Sequence, residues 1–386
     1  MSEIKVNSIK GVAASTAALT INNTDGTCTA NITNNLSNRN LIINGAMQVA
    51  QRGTSSTSSG YHTVDRFSVE EGGVDEAGTK EQAAVTSGGA YDSGFRNCLK
   101  ITNGNQTGGA GASDYVQIMQ RVEAQNMANS GWNFPSSSSF ITLSFWIKSS
   151  VAQVFSGSLR TVDGTAYSYK YDTPSISANT WTKVTKTIPG NSNLTFADDN
   201  GHGFDVFIYP FIGTTYTTSN ANTETWITAA TNTYANDMAS TWYTTNNATF
   251  EVTGVQLEVG SVATDFEHRS FAQELALCQR YYYTTRGGNS GNPNSDFAGF
   301  FGTPLANGQG GYGIGRFPVA MRATPTVVIY DATATAGKFT QNGINYFTGS
   351  AANIQNNGFT LISGASGLST TTNYTLTAGF TASAEL

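Results

Sequence analysis

Charge is scarce in this chain. Only 12% of its 386 residues are Asp, Glu, Lys or Arg, about half the share of an ordinary soluble protein. The 20 basic residues are scattered and the formal net charge is −6. No basic stripe is available to hold a phosphate backbone, so nucleic acid is excluded as a partner. No apolar run approaches the roughly 18 residues of a membrane-crossing helix, so no membrane insertion is expected. The opening residues MSEIKVNSIKG lack the apolar core of a secretory signal. Cysteine is rare and odd in number: Cys28, Cys98 and Cys278 lie far apart, which yields neither a disulfide framework nor a zinc site. They read as free, buried thiols of a chain made in a reducing compartment. Histidine occurs three times, at His62, His202 and His268. There is no His-Glu-x-x-His, no Gly-x-Ser-x-Gly and no phosphate loop. The expectation is therefore no catalytic residue, no cofactor and no enzyme.

Thr, Ser, Asn and Gly fill the space that charge leaves, with 41 Gly. Aromatics reach 11%, as 21 Phe, 17 Tyr and 5 Trp. Thr and aromatics favour strands, Asn and Gly favour tight turns. The composition is that of an all-β protein assembled without disulfides.

Four stretches follow one another. Residues 1–39 hold short alternating runs (Glu3–Ile9, Ala18–Ile21, Cys28–Ile32) and no aromatic. They cannot bury a core alone, so they lie on another copy of the chain or a larger particle, or form a flexible tail. Residues 40–269 carry strand patterns at Leu41–Val49, Asp65–Glu70, Asn97–Thr102, Tyr115–Val122, Phe140–Lys148, Phe155–Val162, Tyr167–Tyr171, Thr180–Ile188, Phe204–Ile212 and Thr249–Leu257. Many short strands with almost no helical period predict a jelly-roll β-sandwich. Residues 270–285 open with Ser270 and Gln273 at capping-box spacing, and place Phe271, Leu275, Cys278 and Tyr282 on one helical face. This is the one connecting helix. Residues 286–386, Gly- and Asn-rich at first, resume strands at Phe317–Met321, Pro325–Tyr330, Gly343–Phe347, Gly358–Ile362 and Tyr374–Phe380, and predict a smaller C-terminal β-sandwich domain.

Several constellations invite a chemical reading. Gly308-Gln309-Gly310-Gly311-Tyr312-Gly313 matches G-x-G-x-x-G. The Ile314-Gly315-Arg316-Phe317-Pro318 that follows cannot open the helix that a dinucleotide site needs, so it reads as a loop. Asp198, Asp199, Asn200 and Asp205 gather oxygen ligands in a turn suited to calcium, or simply to a hairpin. Glu70-Glu71 and Asp75-Glu76 could be imagined as glycosidase carboxylates, though loop charges are usually solvated. Trp132, Trp181, Trp226 and Trp242 lie in or beside loops and short strands. They are the candidate glycan-binding residues, since an indole face stacks on the apolar C–H face of a sugar; the alternative is that each is core. Trp146, inside the best alternating strand, reads as core.

The run Asn40-Leu41-Ile42-Ile43-Asn44-Gly45-Ala46-Met47-Gln48-Val49-Ala50-Gln51-Arg52-Gly53, with Tyr61-His62-Thr63-Val64-Asp65-Arg66-Phe67, resembles the start of a carbohydrate-binding-module-like jelly roll in bacteriophage tail-fibre proteins, particularly those of marine phages. Three later blocks, Leu143–Ser149, Thr253–Gly260 with Ala263–Glu267, and Glu274–Tyr282, are similar to that family's central strand, closing strand and exit helix. The opening Ile4-Lys5-Val6-Asn7 is similar to cyanophage virion proteins. The resemblance covers about residues 40–285. It implies a virion appendage: residues 1–39 join a tail or capsid protein or intertwine with sister chains, commonly as a homotrimer. The jelly roll then faces a host-surface glycan without enzymatic action. A tail fibre is the expected location. A capsid-attached head fibre, spike or decoration protein with a structural role is the alternative, and a depolymerase a third.

Overall fold

A computed structural model describes residues 6, 8–9, 19–21, 24, 28–30, 38–219, 222–285, 299–300, 312–331, 333–341, 345–363 and 376–386. The glycine cluster Gly308–Gly311 and the Asn/Gly stretch 286–298 lie outside the described residues, as does most of 1–37.

Twelve strands build the sandwich: β1 (Ser55–Ser56), β2 (Ser68–Gly72), β3 (Thr79–Ala84), β4 (Asn97–Thr102), β5 (Tyr115–Glu123), β6 (Phe140–Ser149), β7 (Ser156–Thr161), β8 (Tyr167–Asp172), β9 (Thr182–Pro189), β10 (His202–Ile212), β11 (Trp226–Thr228) and β12 (Thr249–Val259). The front sheet runs β11-β8-β7-β10-β5-β2 and the back sheet β9-β6-β12-β4-β3-β1. Period-two alternation makes the core. On β5, Val116, Ile118 and Val122 point between the sheets, against Leu143, Phe145 and Ile147 of β6 and Phe250, Val252 and Leu257 of β12. Turns fall where small and polar residues cluster. Asp163 and Gly164 (φ 64°) lie between β7 and β8, and Asp163 Oδ2 accepts the amide of Ala197.

Two expectations change here. Leu41–Val49 is not a strand. Asn44 and Met47 sit at positive φ (61° and 57°), and two asparagine amides take the backbone groups that a ladder would use. Asn40 Oδ1 accepts from Ile42 and Leu257, while its Nδ2 donates to the Val255 carbonyl. Asn44 bridges Val49 and the Asp65 carbonyl in the same way. The segment is a plug tied by side chains to the end of the sandwich. Conversely β3, Thr-Lys-Glu-Gln-Ala-Ala, was not expected as a strand. Its polar sequence suits the outer part of the sheet, where it pairs with β4 and the two-residue β1.

The helix Phe271–Gln279 starts at the predicted box: Ser270 accepts from the Gln273 amide and Gln273 Oε1 accepts from the Ser270 amide. Its buried residues are Glu274 and Cys278, followed just past its end by buried Tyr281, whereas Phe271 is 55% exposed. Cys278 and half-buried Leu275 face inward as the apolar spacing suggested, whereas Phe271 does not. Glu274 is drawn in because it accepts from the Asn44 amide and pairs with Arg269. Beyond the helix, Tyr282–Thr284 pairs with Gly379–Ser383, which also pairs with Thr326–Tyr330. A second sheet orders Gly299–Phe300, Leu376–Thr377, Lys338–Gln341, Asn345–Gln355, Gly358–Ser363 and Tyr312–Arg316. Phe317, Met321, Ile329, Phe339, Phe359 and Phe380 form the core of this smaller β unit. Pro318 has no amide to give a ladder, and the strand expected over Phe317–Met321 instead ends at Arg316. Near the N-terminus, Ser8–Ile9, Leu19–Ile21 and Cys28–Ala30 make a three-stranded antiparallel sheet.

Candidate functional site

The outward face of the front sheet carries the candidate site. On β5 the residues between the core positions are Tyr115, Gln117, Met119 and Arg121. On β10 they are Asp205 and Phe207, then Tyr209 and Ile212 after a register shift between Ile208 and Phe211. β2 adds Glu70 and β7 adds Arg160. The excursion between β10 and β11, and the one that follows β11, lay Tyr216 and Tyr234 over this face. The result is a groove of about 470 Å³ lined by these residues, except the fully buried Tyr209, with Val162 and His202, within the usual range of ligand pockets, roughly 300–1,000 Å³.

The groove mixes ring faces with polar groups held in place. Tyr115 and Tyr216 meet edge to face at 5.7 Å, and Phe207 meets Tyr234 edge to face at 6.0 Å. Arg160 Nη1 donates to the Tyr234 hydroxyl at 2.7 Å. Asp205, 3% exposed, lies 2.6 Å from His202 Nε2 and 3.8 Å from Arg121 Nε. Ser68 donates to Glu70 at 2.6 Å. Burial raises the Tyr115 phenol above its ordinary value, with Tyr216 and Glu70 adding to the shift, so it stays a neutral donor and acceptor. Arg121 Nε and Arg160 Nε have no hydrogen-bond partner in the described chain. Such a surface offers apolar faces flanked by donors and acceptors already held in orientation, which a polyhydroxylated ligand satisfies and a purely apolar one does not.

The tryptophans chosen from the sequence are elsewhere. Trp132, Trp226 and Trp242 are 3%, 7% and 0% exposed and belong to the central core. Each indole N–H is satisfied internally, by the carbonyls of Ser139, Pro189 and Thr249 respectively. Burial with the N–H capped leaves no face for a sugar, and the core reading of these three is correct. Trp181 is half-buried beside the back sheet, with Lys148 Nζ 5.0 Å from its ring. Trp146, read as core, is half-buried on the outer face of the back sheet.

The calcium turn does not assemble. Asp198 accepts from Asn129, Asp199 from the Gly201 amide, and the Asn200 amide donates to the Arg322 carbonyl. Asp205 lies on β10 and is held by His202 and Arg121. Among the described residues, no three His, Cys, Asp or Glu gather as a metal site. The imagined glycosidase residues are likewise engaged: Glu71 pairs with buried Lys80 at 2.5 Å, Asp75 accepts from the Gly108 amide, and Glu76 from the Asn105 amide. Cys98 and Cys278 are free and buried. The groove residues that sequence reasoning missed carried one signal: the odd positions of Tyr115–Val122 hold Tyr, Gln, Met and Arg, a face neither plainly core nor plainly solvated.

No family model matches the chain, and no curated protein matches it. Solved structures do. The enzymatically active domain of tailspike protein 4 of bacteriophage CBA120 is 12% identical, with a TM-score of 0.30; the match covers 57% of this chain and 21% of that one. A family 11 carbohydrate-binding module from Clostridium thermocellum, in complex with a β-1,3-1,4-mixed-linked tetrasaccharide, is 13% identical over 55% of this chain and 99% of that one, with a TM-score of 0.24. The N-terminal cellulose-binding domain of Cellulomonas fimi β-1,4-glucanase C is 10% identical over 56% and 99%, with a TM-score of 0.25. This chain thus spans about a fifth of the tailspike chain it matches. None of the three reaches an identity or superposition from which a ligand transfers.

Proposed function

We propose that this chain is a non-enzymatic glycan-binding protein of a bacteriophage virion, a tail fibre displayed as an oligomer, with residues 1–39 joining it to the particle or to sister chains. The observation that carries the binding role is the front-sheet groove, where half-buried Tyr115, Tyr216 and Tyr234 alternate with Gln117, Arg121 and Arg160 over a floor of buried Phe207 and Asp205. Weak single-site binding would gain strength from several copies on one particle.

Hydrolysis fits the groove poorly. Its acidic residues are Glu70 and Asp205. Glu70 pairs with Gln117 and Asp205 with Arg121, on opposite sides of β5. Two strand spacings and a four-residue offset put their backbones roughly 16 Å apart, and each carboxyl is held by its own neighbour, Glu70 by Ser68 and Asp205 by His202; a glycosidase holds its two carboxyls about 5–9.5 Å apart across the substrate.

Tyr234→Ala and Arg160→Ala in the full chain should each weaken binding to host-cell polysaccharide about tenfold or more with the fold intact by near-ultraviolet circular dichroism. Unchanged binding in both would overturn the groove. New reducing ends from that polysaccharide would overturn the non-enzymatic reading. Gold-labelled antibody on intact particles separates the locations: label at the tail supports the fibre, and label over the capsid replaces it with a head fibre or decoration protein.

A further inference from the structure

The back sheet has an opening of its own. A pocket of about 470 Å³ is set into its outer face, between the short helix Gly89–Asp92 and the segment 264–268. Its floor comes from adjoining strands. Trp146 and Ser144 stand two apart on β6, and Lys183 of β9 pairs with Trp146 in register. β12 contributes Gly254, at φ 65°, where the ladder with β6 shifts register. One wall is a cluster of rings: Phe95 to Phe266 at 4.8 Å, Phe266 to His268 at 4.9 Å and Phe95 to His268 at 5.2 Å.

Glycines keep the space around these rings free of other side chains. A Cβ at Gly89 would come within 2.7 Å of the six-membered ring of Trp146, and one at Gly254 within 2.5 Å of Phe95. The large half-buried indole, packed on the small apolar cluster of this outer face, is thus flanked on one side by backbone.

The charges of the pocket are unmatched. Asp92, Lys183 and Asp265 line it, all three exposed. Among the described residues none of the three side chains makes a hydrogen bond or ion pair; the Asp265 contacts run through its carbonyl. Lys148 beside them is already paired with Glu251 at 2.8 Å. Two carboxylates oppose an anion, and Lys183 beside them lessens, without cancelling, their pull on a cation. A sugar meets all these groups at once. Its hydroxyls donate to Asp92 and Asp265 and accept from Lys183, while its apolar C–H face lies on Trp146 or Phe266.

We infer that this pocket is a second saccharide-binding site, sized for one or two pyranose units, on the face of the sandwich opposite the groove. It shares no residue with the groove. A chain with both sites holds two glycan strands, or two points of one, and gains avidity before any oligomer forms.

The tryptophans supply a selective readout. Trp132, Trp226 and Trp242 are buried, the groove contains no tryptophan, and only Trp146 and Trp181 are open to a quencher, both beside the back sheet. Acrylamide quenching of tryptophan emission is measured on the full chain with cellotetraose, maltotetraose, mannotetraose and tetra-N-acetylchitotetraose as probes. At least one probe should lower the quenching slope about twofold. That protection should persist in Tyr234→Ala, which alters only the groove. It should vanish in the double variant Lys183→Ala/Asp265→Ala, whose exposed positions leave the fold intact, whereas Trp146→Ala would open the apolar cluster on which the indole packs. No protection by any probe overturns the inference. So does protection that survives the double variant or is lost with Tyr234→Ala.

Discussion

At the scale of single residues, burial of charge decides more than surface chemistry. Asp65 is 1% exposed, accepts from the Gln51 amide at 3.0 Å and lies 3.8 Å from Arg52. Burial pushes its carboxyl up to about 6 from 3.8, outweighing the pull of Arg52 and Gln51. The native state therefore keeps a proton that the unfolded chain has released, so Asp65's contribution to stability falls as pH rises from about 4 to about 6 and is level above that. The shift corresponds to roughly 3 kcal/mol. Urea midpoints for the wild type and Asp65→Asn should show the wild type's relative stability dropping by roughly 2–3 kcal/mol between pH 4 and pH 7. A relative stability that grows with pH would mean that Arg52 dominates instead. The same burial is what hid the tryptophans. A residue type says that an indole is amphipathic; whether Trp242 is wrapped by Phe250 and capped by the Thr249 carbonyl depends on chain about 90 residues away, since Phe155 packs on Phe250.

Elements were more legible than sites. Asn97–Thr102 has the bounds expected of it, and Tyr115–Glu123, Phe140–Ser149 and Tyr167–Asp172 differ from expectation by one residue at an end, because strict alternation over half-buried strands is a local signal. The Leu41–Val49 run misled for the opposite reason: its apolar residues are buried, but the Asn40 and Asn44 side chains replace the ladder. The groove was illegible because its residues come from β2, β5, β7 and β10 and two long excursions, and a register shift in β10 resets which face each residue meets. The helix is where local sequence and structure agree best at a boundary. Ser270→Ala removes the acceptor for the Gln273 amide and should cost about 1 kcal/mol, read from denaturant unfolding of the full chain. Gln273→Ala, which removes the reciprocal bond to the Ser270 amide, should cost less. A loss below a few tenths of a kcal/mol for Ser270→Ala would show that packing of Cys278 and Tyr281, not the cap, fixes the helix start.

At the scale of the molecule, the jelly roll and the smaller β unit are joined by charges that neither could bury alone. Glu385, from the end of the smaller unit, accepts from Arg52 at 3.0 Å and from Arg66, which is 1% exposed and stacks on Tyr281 at 3.4 Å. Arg121, a groove residue, donates to the Leu386 carbonyl. Arg322 donates to the carbonyls of Asn200, Ala384 and Glu385, and Arg280 with Tyr281 closes on buried Glu123. Removing one partner of such a pair leaves a buried charge uncompensated, at a cost of about 3–5 kcal/mol. Glu385→Ala strands the buried Arg66 guanidinium, while Arg52 keeps Asp65 3.8 Å away. Calorimetry of the wild type should show one transition, since neither unit can unfold without exposing the seam. In Glu385→Ala the smaller unit, with its short core of Phe317, Phe339, Phe359 and Phe380, should melt first as a separate transition. The jelly roll keeps its two-sheet core in that variant, so its own transition should shift far less. If one transition persists at an unchanged temperature, water compensates the arginines and the two units are coupled by their strands alone, through Tyr282–Thr284 and its pairing with Gly379–Ser383.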